Sequence, residues 1–354
     1  MNIYVVNIIL TFLWAFLCFK VFKGSGESNQ GKKIFCTLTT IQWILISGLR
    51  GMSVSMDMLS YKLRFEKTLH SHWWELFKNF ELVYINGEGK DPGYAIFEKT
   101  VQIFTHDYQT FLFIVAIIFF TAMGVWVYKY SENPLLSMLI FDSFMSSFFA
   151  ITGTRQTLAT VLVVFIGGYF IRKRKLWQFL VVTFVAYTIH KSAICVLPFY
   201  FIANIEITRK YVAVCVGSIP ILFIFKEQFF NVLGALAGYE YDDLESGGAY
   251  GFTLMYIAVL VVSILLLRHF KYISEDYKLY YNALFLGAIF LPLVFVNPAA
   301  MRVVQYYSLY LMLLIPQLVK CFERKLHGPI SIAMIGAILL ATNVYNYHYE
   351  FFWQ

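Results

Sequence analysis

The sequence predicts an all-α fold, a polytopic bundle of membrane helices. Hydrophobic residues make up 59% of the 354 residues, and charged residues make up only 14%. Apolar runs recur along the whole chain, and a chain of this composition cannot bury all of them in one soluble core. No polar linker interrupts the pattern, so we expect a single transmembrane domain over residues 1–354.

The apolar runs predict about twelve membrane helices. Their expected ranges are 3–22, 34–49, 109–128, 134–151, 156–171, 176–189, 192–207, 210–225, 250–267, 279–296, 303–320 and 328–345. The first run lacks a basic segment ahead of it and a clear cleavage site, which favours a retained helix over a signal peptide. The runs 176–189 and 192–207 are short, so they are either two full spans or the halves of a re-entrant segment.

Lysine and arginine in the loops predict the orientation of the helices. Five basic loops fall on one side if the helices alternate: 20–33, 171–175, 206–210, 268–278 and 320–327. Positive loops face the cytoplasm, so both termini are expected on the extracytoplasmic side. The formal net charge of +7 then reflects mostly this asymmetry, and we expect no nucleic-acid partner.

The opposite side carries two larger predicted loops, 50–108 and 226–249. The first contains apolar residues three or four positions apart, which indicates one face of a helix. These residues are Leu69, Trp73, Leu76, Phe80 and Val83. We interpret this segment as an amphipathic helix in the outer interface, either a simple anchor or a gate beside a lipid headgroup.

Basic side chains also collect at the outer ends of the predicted helices. An arginine inside a membrane bundle costs about 2.5–3.5 kcal/mol on insertion scales, so it usually faces a polar cavity. Snorkelling to the interface is the alternative for any single residue. Several together favour an anion site, because guanidinium groups match phosphate oxygens. The basic residues at these outer helix ends are Arg50, Arg155, Arg302 and Lys191.

Two residues are candidates for proton transfer. His190 ends a predicted helix and has a side chain suited to general-base chemistry, although a structural role is the alternative. Asp57 follows the second apolar run and is either a base or an ionic partner of Arg50 or Arg64. We expect no metal site and no cofactor. The acidic residues of the second outer loop, Asp242, Asp243 and Glu245, are interpreted as solvated rather than as ligands of a divalent ion.

Five stretches occur in an order that resembles a known family. They are "LRGMSVSMDMLSY", "DPGYAIFEK", "TGTRQTLA", "HKSAICVLPFY" and "MRVVQYYSLYLMLLIP", within residues 45–316. This set resembles the EpsG-like branch of the Wzy-type bacterial polysaccharide polymerases. The first stretch is similar to Arg-Tyr-Gly-Val-Gly-x-Asp-x-x-x-Tyr but lacks the aromatic after Arg50 and the second glycine. In the second stretch, Asp91 replaces the usual glutamate before Pro-Gly-Tyr.

The resemblance implies a fold similar to the GT-C glycosyltransferases and an enzyme of the bacterial inner membrane. Such enzymes join oligosaccharide repeat units carried on undecaprenyl pyrophosphate, at the periplasmic face. The implied partners are these lipid-linked oligosaccharides, the bilayer, a chain-length regulator and a flippase. The implied catalytic residues are His190 and Asp57. The implied substrate-binding residues are Arg50, Arg155, Arg302, Lys191, Tyr61 and Tyr94.

Two other functions compete with polymerisation. A polysaccharide-precursor transporter or flippase would also have many helices and a charged cavity. It would be expected to show internal repeats and charges near the bilayer midplane, and neither is evident. A membrane acyltransferase acting on surface glycans would need a histidine or Ser/His pair near its acyl donor, and no second histidine accompanies His190.

Overall fold

The structure is a computed structural model that describes residues 2–21, 28–55, 57–237, 249–341 and 348–354. Over these ranges the regular elements are helices, and the β-type pairing is one isolated bridge between Arg50 and Phe351. The chain forms two compact units. The first comprises Met1–Tyr130, Phe141–Ala193 and Thr342–Gln354, and the second comprises Ser131–Ile140 and Ile194–Ala341. The predicted all-α class is confirmed.

The α-helices have the following bounds. In the first part of the chain they are α1 (Ile3–Phe16), α2 (Ser28–Gly48), α3 (Asp57–His70), α4 (Trp73–Tyr84), α5 (Pro92–Val101), α6 (Tyr108–Tyr130), α7 (Pro134–Phe144), α8 (Thr154–Thr160), α9 (Gly167–Arg172) and α10 (Leu176–Ile189). They continue with α11 (Phe199–Ile202), α12 (Arg209–Ile224), α13 (Lys226–Ala237), α14 (Tyr250–Ile273), α15 (Tyr277–Phe290), α16 (Met301–Ser308), α17 (Leu311–Leu318) and α18 (His327–Ala341).

The number of membrane spans differs from the predicted count of about twelve. Within the described ranges, four helical stretches are long and apolar enough to cross a membrane: Tyr108–Tyr130, Thr154–Arg172, Tyr250–Ile273 and Tyr277–Phe295. A fifth is present if α12 and the start of α13, bent by 91°, form one span. The other apolar helices are 10–17 residues long. The count of twelve is therefore not confirmed, because several apolar runs are broken into helices shorter than the roughly 20 residues that a full crossing needs.

A close contact between α2 and α6 forms the core of the first unit. A Cβ atom on Gly124 of α6 would lie 2.0 Å from the Thr40 hydroxyl of α2, so a larger residue there would force this side chain to move. Trp43 of α2 stacks on Phe120 with 5.7 Å between ring centroids, and its indole N–H donates to Asp142 at 2.9 Å. These aromatic contacts fix the end of α2 against the rest of the unit.

The segment 57–101 forms three helices that are not among the candidate spans. In α4, Leu76 and Val83 are buried while Trp73, Trp74 and Phe77 are exposed. The helix therefore has a packed side and an exposed aromatic side. Its placement in the outer interface stays a prediction.

The short helix α10 ends at His190, where the backbone becomes extended. A 3₁₀ segment, Lys191–Val196, and then α11 follow. The predicted loop 226–249 begins with the helix α13. The acidic residues Asp242, Asp243 and Glu245 lie outside the described residues.

Two tyrosines link helices of the second unit. Tyr256 of α14 donates a hydrogen bond to the Leu284 carbonyl of α15 at 3.3 Å. A Cβ on Gly287 would lie 1.9 Å from the Tyr256 hydroxyl, so α14 and α15 approach closely at this glycine. Tyr281 of α15 donates back to the Ser263 carbonyl of α14. These contacts fix α14 against α15, most of whose residues are buried.

Candidate active site

A buried aspartate, Asp91, forms the centre of the polar cluster in the first unit. Its backbone is left-handed, with φ 50° and ψ 60°, and it stands directly before Pro92, the first residue of α5. Proline at the first helical position has no N–H to satisfy, and Asp is one of the few residues that enter the left-handed region readily. The Asp91 side chain is 1% exposed, so its carboxylate needs partners inside the protein.

Arg155 is the ionic partner of this carboxylate. Its Nη1 lies 2.5 Å from Oδ2 of Asp91. Arg155 is the second residue of α8, directly after the turn at Gly153, where a Cβ would lie 2.7 Å from the Phe148 ring. The Arg155 side chain is 20% exposed, and its Nε has no hydrogen-bond partner among the described residues. The guanidinium is thus held by Asp91, and the Arg155 side chain is partly accessible to solvent.

The turn after α10 meets the same carboxylate. The backbone N–H of Lys191 donates to Oδ1 of Asp91 at 3.2 Å. Gly93 lies against this end of α10, because a Cβ on Gly93 would be 2.1 Å from Thr188 Oγ1 and 2.9 Å from the Thr188 carbonyl carbon. The glycine of the Pro-Gly-Tyr stretch therefore lets α5 approach α10 closely enough for the contact between Asp91 and Lys191.

His190 precedes this contact and is buried. Its Nδ1 accepts the backbone N–H of Ser192 at 3.2 Å and lies 2.8 Å from the Ser192 hydroxyl. Because a backbone N–H can only donate, Nδ1 is the acceptor of the ring, and the proton of neutral His190 is assigned to Nε2. This tautomer makes the other ring nitrogen a hydrogen-bond donor.

Two aromatic rings accompany the cations of the cluster. The Arg155 guanidinium carbon lies 5.3 Å from the centroid of the Tyr61 ring, and that of Arg64 lies 5.2 Å from the centroid of Tyr94. The two tyrosine rings are 6.3 Å apart. The predicted residues Tyr61, Tyr94, Arg155 and Lys191 are thus brought together around Asp91.

Arg64 connects the cluster to a second buried acid, Glu98. Its Nη2 donates to the Asp91 carbonyl at 3.0 Å, and its Nε lies 3.8 Å from Oε2 of Glu98. Thr68 donates to the same Glu98 oxygen at 3.1 Å. Burial raises the pKa of Glu98 to about 7, against the opposing charge of Arg64 and the hydrogen bond from Thr68.

Asp57 is the first helical residue described at the start of α3, and its side chain is exposed. It makes no ion pair with Arg50 or Arg64 in the described part of the chain, where Arg64 pairs with Glu98 instead. Tyr61 lies four residues further along the same helix, which places the two side chains on one face, about 5–6 Å apart at Cβ. Asp57 is therefore one turn from the ring that contacts Arg155.

Arg50 is buried rather than open to water, with 3% of its surface exposed. Its Nη1 donates to the carbonyl oxygen and, at 3.0 Å, to the hydroxyl of Ser47, in the last turn of α2. A segment from the far end of the sequence covers this position. The Gly51 N–H donates to the Glu350 carbonyl at 2.8 Å, and the Phe352 N–H donates to the Leu49 carbonyl at 3.0 Å.

Arg302, the last predicted arginine, belongs to the second unit. It is the second residue of α16, and its side chain is half-buried. The short 3₁₀ segment Pro298–Ala300 leads into this helix, and Asn297 caps that segment by accepting the Ala299 N–H at 2.8 Å.

Four residues of the cluster were not predicted as site residues: Asp91, Arg64, Thr68 and Glu98. The signal for Asp91 was its position before Pro-Gly, where an aspartate ends an irregular segment and begins a helix. No sequence motif marks Arg64, Thr68 or Glu98, because their contacts join two helices whose packing the sequence does not specify.

Comparison with known proteins gives one match. A family model described as "EpsG family" matches residues 33–354. No curated protein and no solved structure matches the chain. The matched range contains each helix from α3 to α18 and therefore the whole cluster around Asp91.

Proposed function

The chain belongs to the EpsG family of Wzy-like polysaccharide polymerases, and from this premise we propose that it joins lipid-linked oligosaccharide repeat units into a surface polysaccharide. The donor is a growing chain on undecaprenyl pyrophosphate, and the acceptor is the next lipid-linked unit. The reaction takes place at the extracytoplasmic face of the bacterial inner membrane. The helices long and apolar enough to span a membrane support the membrane location.

The proposal rests on the environment of the Arg155 side chain. The guanidinium is oriented by a buried carboxylate, the side chain remains 20% exposed, and the buried Nε has no hydrogen-bond partner among the described residues. A pyrophosphate leaving group gains negative charge as its bond to the anomeric carbon breaks. An arginine already held in place can stabilise that charge without reorganising, which is the main source of electrostatic catalysis.

The acceptor side of the reaction needs a base. We assign this role to Asp57, because it is exposed and one helical turn from Tyr61. The acceptor hydroxyl oxygen forms a bond to the anomeric carbon of the donor. The bond from that carbon to the pyrophosphate oxygen breaks, and the hydroxyl proton passes to Asp57.

The remaining residues take supporting roles in this proposal. His190 donates from Nε2 to the leaving group, since its Nδ1 is occupied by the Ser192 N–H. Lys191 adds a cation in the same turn. Tyr61 and Tyr94 provide aromatic faces for the sugars and position the arginines. Arg302 is a further proposed cation for the pyrophosphate.

Arg50 has a different proposed role. Its buried guanidinium donates to Ser47, and residues 350–352 pair with the backbone on both sides of Arg50, so we assign it to holding the end of α2 rather than to substrate. In the cell, the polymerase is proposed to receive its substrate from a flippase and to work with a chain-length regulator.

Deletion and complementation test the proposal. A strain without the gene should carry single repeat units on its surface in place of long chains. Absent surface repeats would indicate a flippase, and unmodified long chains would indicate an acyltransferase. Complementation with Arg155→Ala or Asp57→Asn should leave single units after normalisation to the amount of protein in the membrane, and Lys62→Met, on the same helix as Asp57, serves as the control. Normal chain length with Asp57→Asn would remove Asp57 as the base.

A further inference from the structure

A cavity of about 430 Å³ lies beside the cluster, between α3, α4, α5 and the segment 88–90. Ligand pockets commonly measure about 300–1,000 Å³, so this volume suits part of an oligosaccharide. None of the three helices is a candidate span. The cavity is therefore suited to the portion of a lipid-linked substrate that extends from the bilayer, which is its glycan.

One face of α3 provides the polar wall of the cavity. Arg64, Lys67 and Thr68 line it, and their spacing puts them on the same side of the helix; Ser71, directly after the helix, lines it too. The opposite wall is partly apolar and includes Leu76 of α4 and Ala95 of α5. A polar wall facing an apolar wall matches a sugar ring, which has hydroxyl groups at its edge and C–H groups on its face.

The charge of the lining is predominantly positive. Arg64, Lys67 and Lys90 are the cations of the cavity, and Glu88 is its acid. Arg64 is already engaged by Glu98 and by the Asp91 carbonyl. Lys67 makes no ion pair within the described ranges and is exposed. A neutral glycan would gain little from this excess of positive charge, whereas a carboxylate would be attracted to it.

The cavity and the Arg155 site share a wall. Lys90 and Pro92 line the cavity, and Asp91 between them turns its side chain to Arg155. Arg64 lines the cavity and donates to the Asp91 carbonyl. A sugar in the cavity would thus be adjacent to the residue that orients the proposed leaving-group arginine.

We propose that this cavity binds an acidic sugar residue of the repeat unit, with Lys67 and Lys90 recognising its carboxylate. The inference rests on the proposed polymerase function and adds the substrate class. It predicts that the polysaccharide made by this protein contains a uronic acid or another carboxylate-bearing sugar.

A binding measurement tests the inference directly. The full-length protein in nanodiscs is titrated with tetragalacturonate and with its fully methyl-esterified form, which has the same sugars without the charges. The acidic form should bind more tightly, with a preference that falls as salt rises. Lys67→Met combined with Lys90→Met should reduce the preference about three- to tenfold, as expected for solvent-exposed ion pairs. Lys62→Met is the matched control, because Lys62 is on the same helix, pairs with Glu66 and does not line the cavity.

Three results would overturn the inference. The first is equal affinity for the acidic and esterified forms. The second is an equal loss of preference in Lys62→Met. The third is displacement of tetragalacturonate by an equal concentration of inorganic pyrophosphate, which would assign the lysines to the pyrophosphate instead. Failure of the polymerase proposal is distinguishable, since it would appear in the deletion strain as long chains or as absent surface repeats, independently of any binding measurement.

Discussion

Asp91 Oδ2 and Arg155 Nη1 are 2.5 Å apart, and they join the start of α5 to the start of α8. The carboxylate is 1% exposed and the arginine side chain is 20% exposed. The aspartate of this pair is thus buried, and the arginine side chain is partly exposed to solvent. Removing either partner leaves the other charge uncompensated, which commonly costs about 3–5 kcal/mol for buried pairs and less where water reaches one side.

Asp91→Asn should abolish long-chain synthesis nearly as fully as Arg155→Ala. Asparagine tolerates the left-handed backbone at this position, so the loss reports the charge rather than the turn. Losing one preorganised donor to a transition-state charge typically lowers the rate about a hundredfold or more. The double variant should be no worse than Arg155→Ala, because the two residues act as a unit. Polysaccharide length on gels, normalised to membrane protein, is the measurement. If the losses of activity in the two single variants added up in the double variant, the two residues would act independently.

Arg50→Met should act on stability rather than on chemistry. The substitution leaves the Ser47 carbonyl without its donor in a buried position, a loss of about 1–3 kcal/mol. The melting temperature in detergent and the amount of membrane protein should fall, and activity per folded molecule should be retained. If Arg50→Met kept the wild-type melting temperature but had no polymerase activity, Arg50 would instead be assigned to substrate binding.

Gly93→Ala should separate α5 from α10. The added methyl group would lie within 3 Å of both the side chain and the backbone of Thr188, and the backbone cannot give way as a flexible side chain could. We expect loss of the Asp91–Lys191 contact and strongly reduced folding or activity, read from melting temperature and chain length. Gly217→Ala is the matched control, because nothing lies within 4 Å of its Cβ position. It should be neutral or stabilise α12 by up to about 1 kcal/mol. Wild-type behaviour of Gly93→Ala would disprove the close approach.

Glu98 should make stability depend on pH. Its folded-state pKa is raised to about 7 from an ordinary value of 4.5, so between these values the folded protein holds a proton that the unfolded chain has lost. The contribution of Glu98 to the free energy of unfolding therefore falls by about 1.4 kcal/mol for each pH unit between about 4.5 and about 7. Above about pH 7 this contribution no longer changes with pH. Glu98→Gln should remove this part of the pH dependence of the melting temperature. An unchanged profile in Glu98→Gln would show that another group is responsible.

The orientation of the chain can be checked by labelling. Glu88 is exposed in the segment between α4 and α5, and Arg174 follows α9 in a predicted cytoplasmic loop. Glu88→Cys should react with an impermeant maleimide in intact cells, and Arg174→Cys should react only after the membrane is opened. The wild-type protein, with its five native cysteines, gives the background. The reverse pattern would place the whole cluster on the cytoplasmic side.

The sequence predicted the membrane class and the arginine–tyrosine–lysine content of the cluster, since local motifs carry both. The turn at His190–Lys191 was expected because two short apolar runs flank it. The burial of Arg50 could not be predicted, because the residues that cover it are about three hundred positions away. The pairing of Arg64 with Glu98 likewise depends on how α3 packs on α5. The predicted count of about twelve spans is not confirmed, because apolar content does not reveal where a helix breaks, as at the bend of 91° between α12 and α13.

The cover over Arg50 also affects the order of events during synthesis. The first unit contains residues from both ends of the chain, and Glu350 and Phe352 make the hydrogen bonds that close it. At a translation rate of about 5–20 residues per second, these residues follow Arg50 by roughly 15–60 s. During that interval the ribosome produces most of the first unit and all of the second, and the end of α2 lacks its pairing with residues 350–352. The first unit to begin folding is therefore the last to be completed.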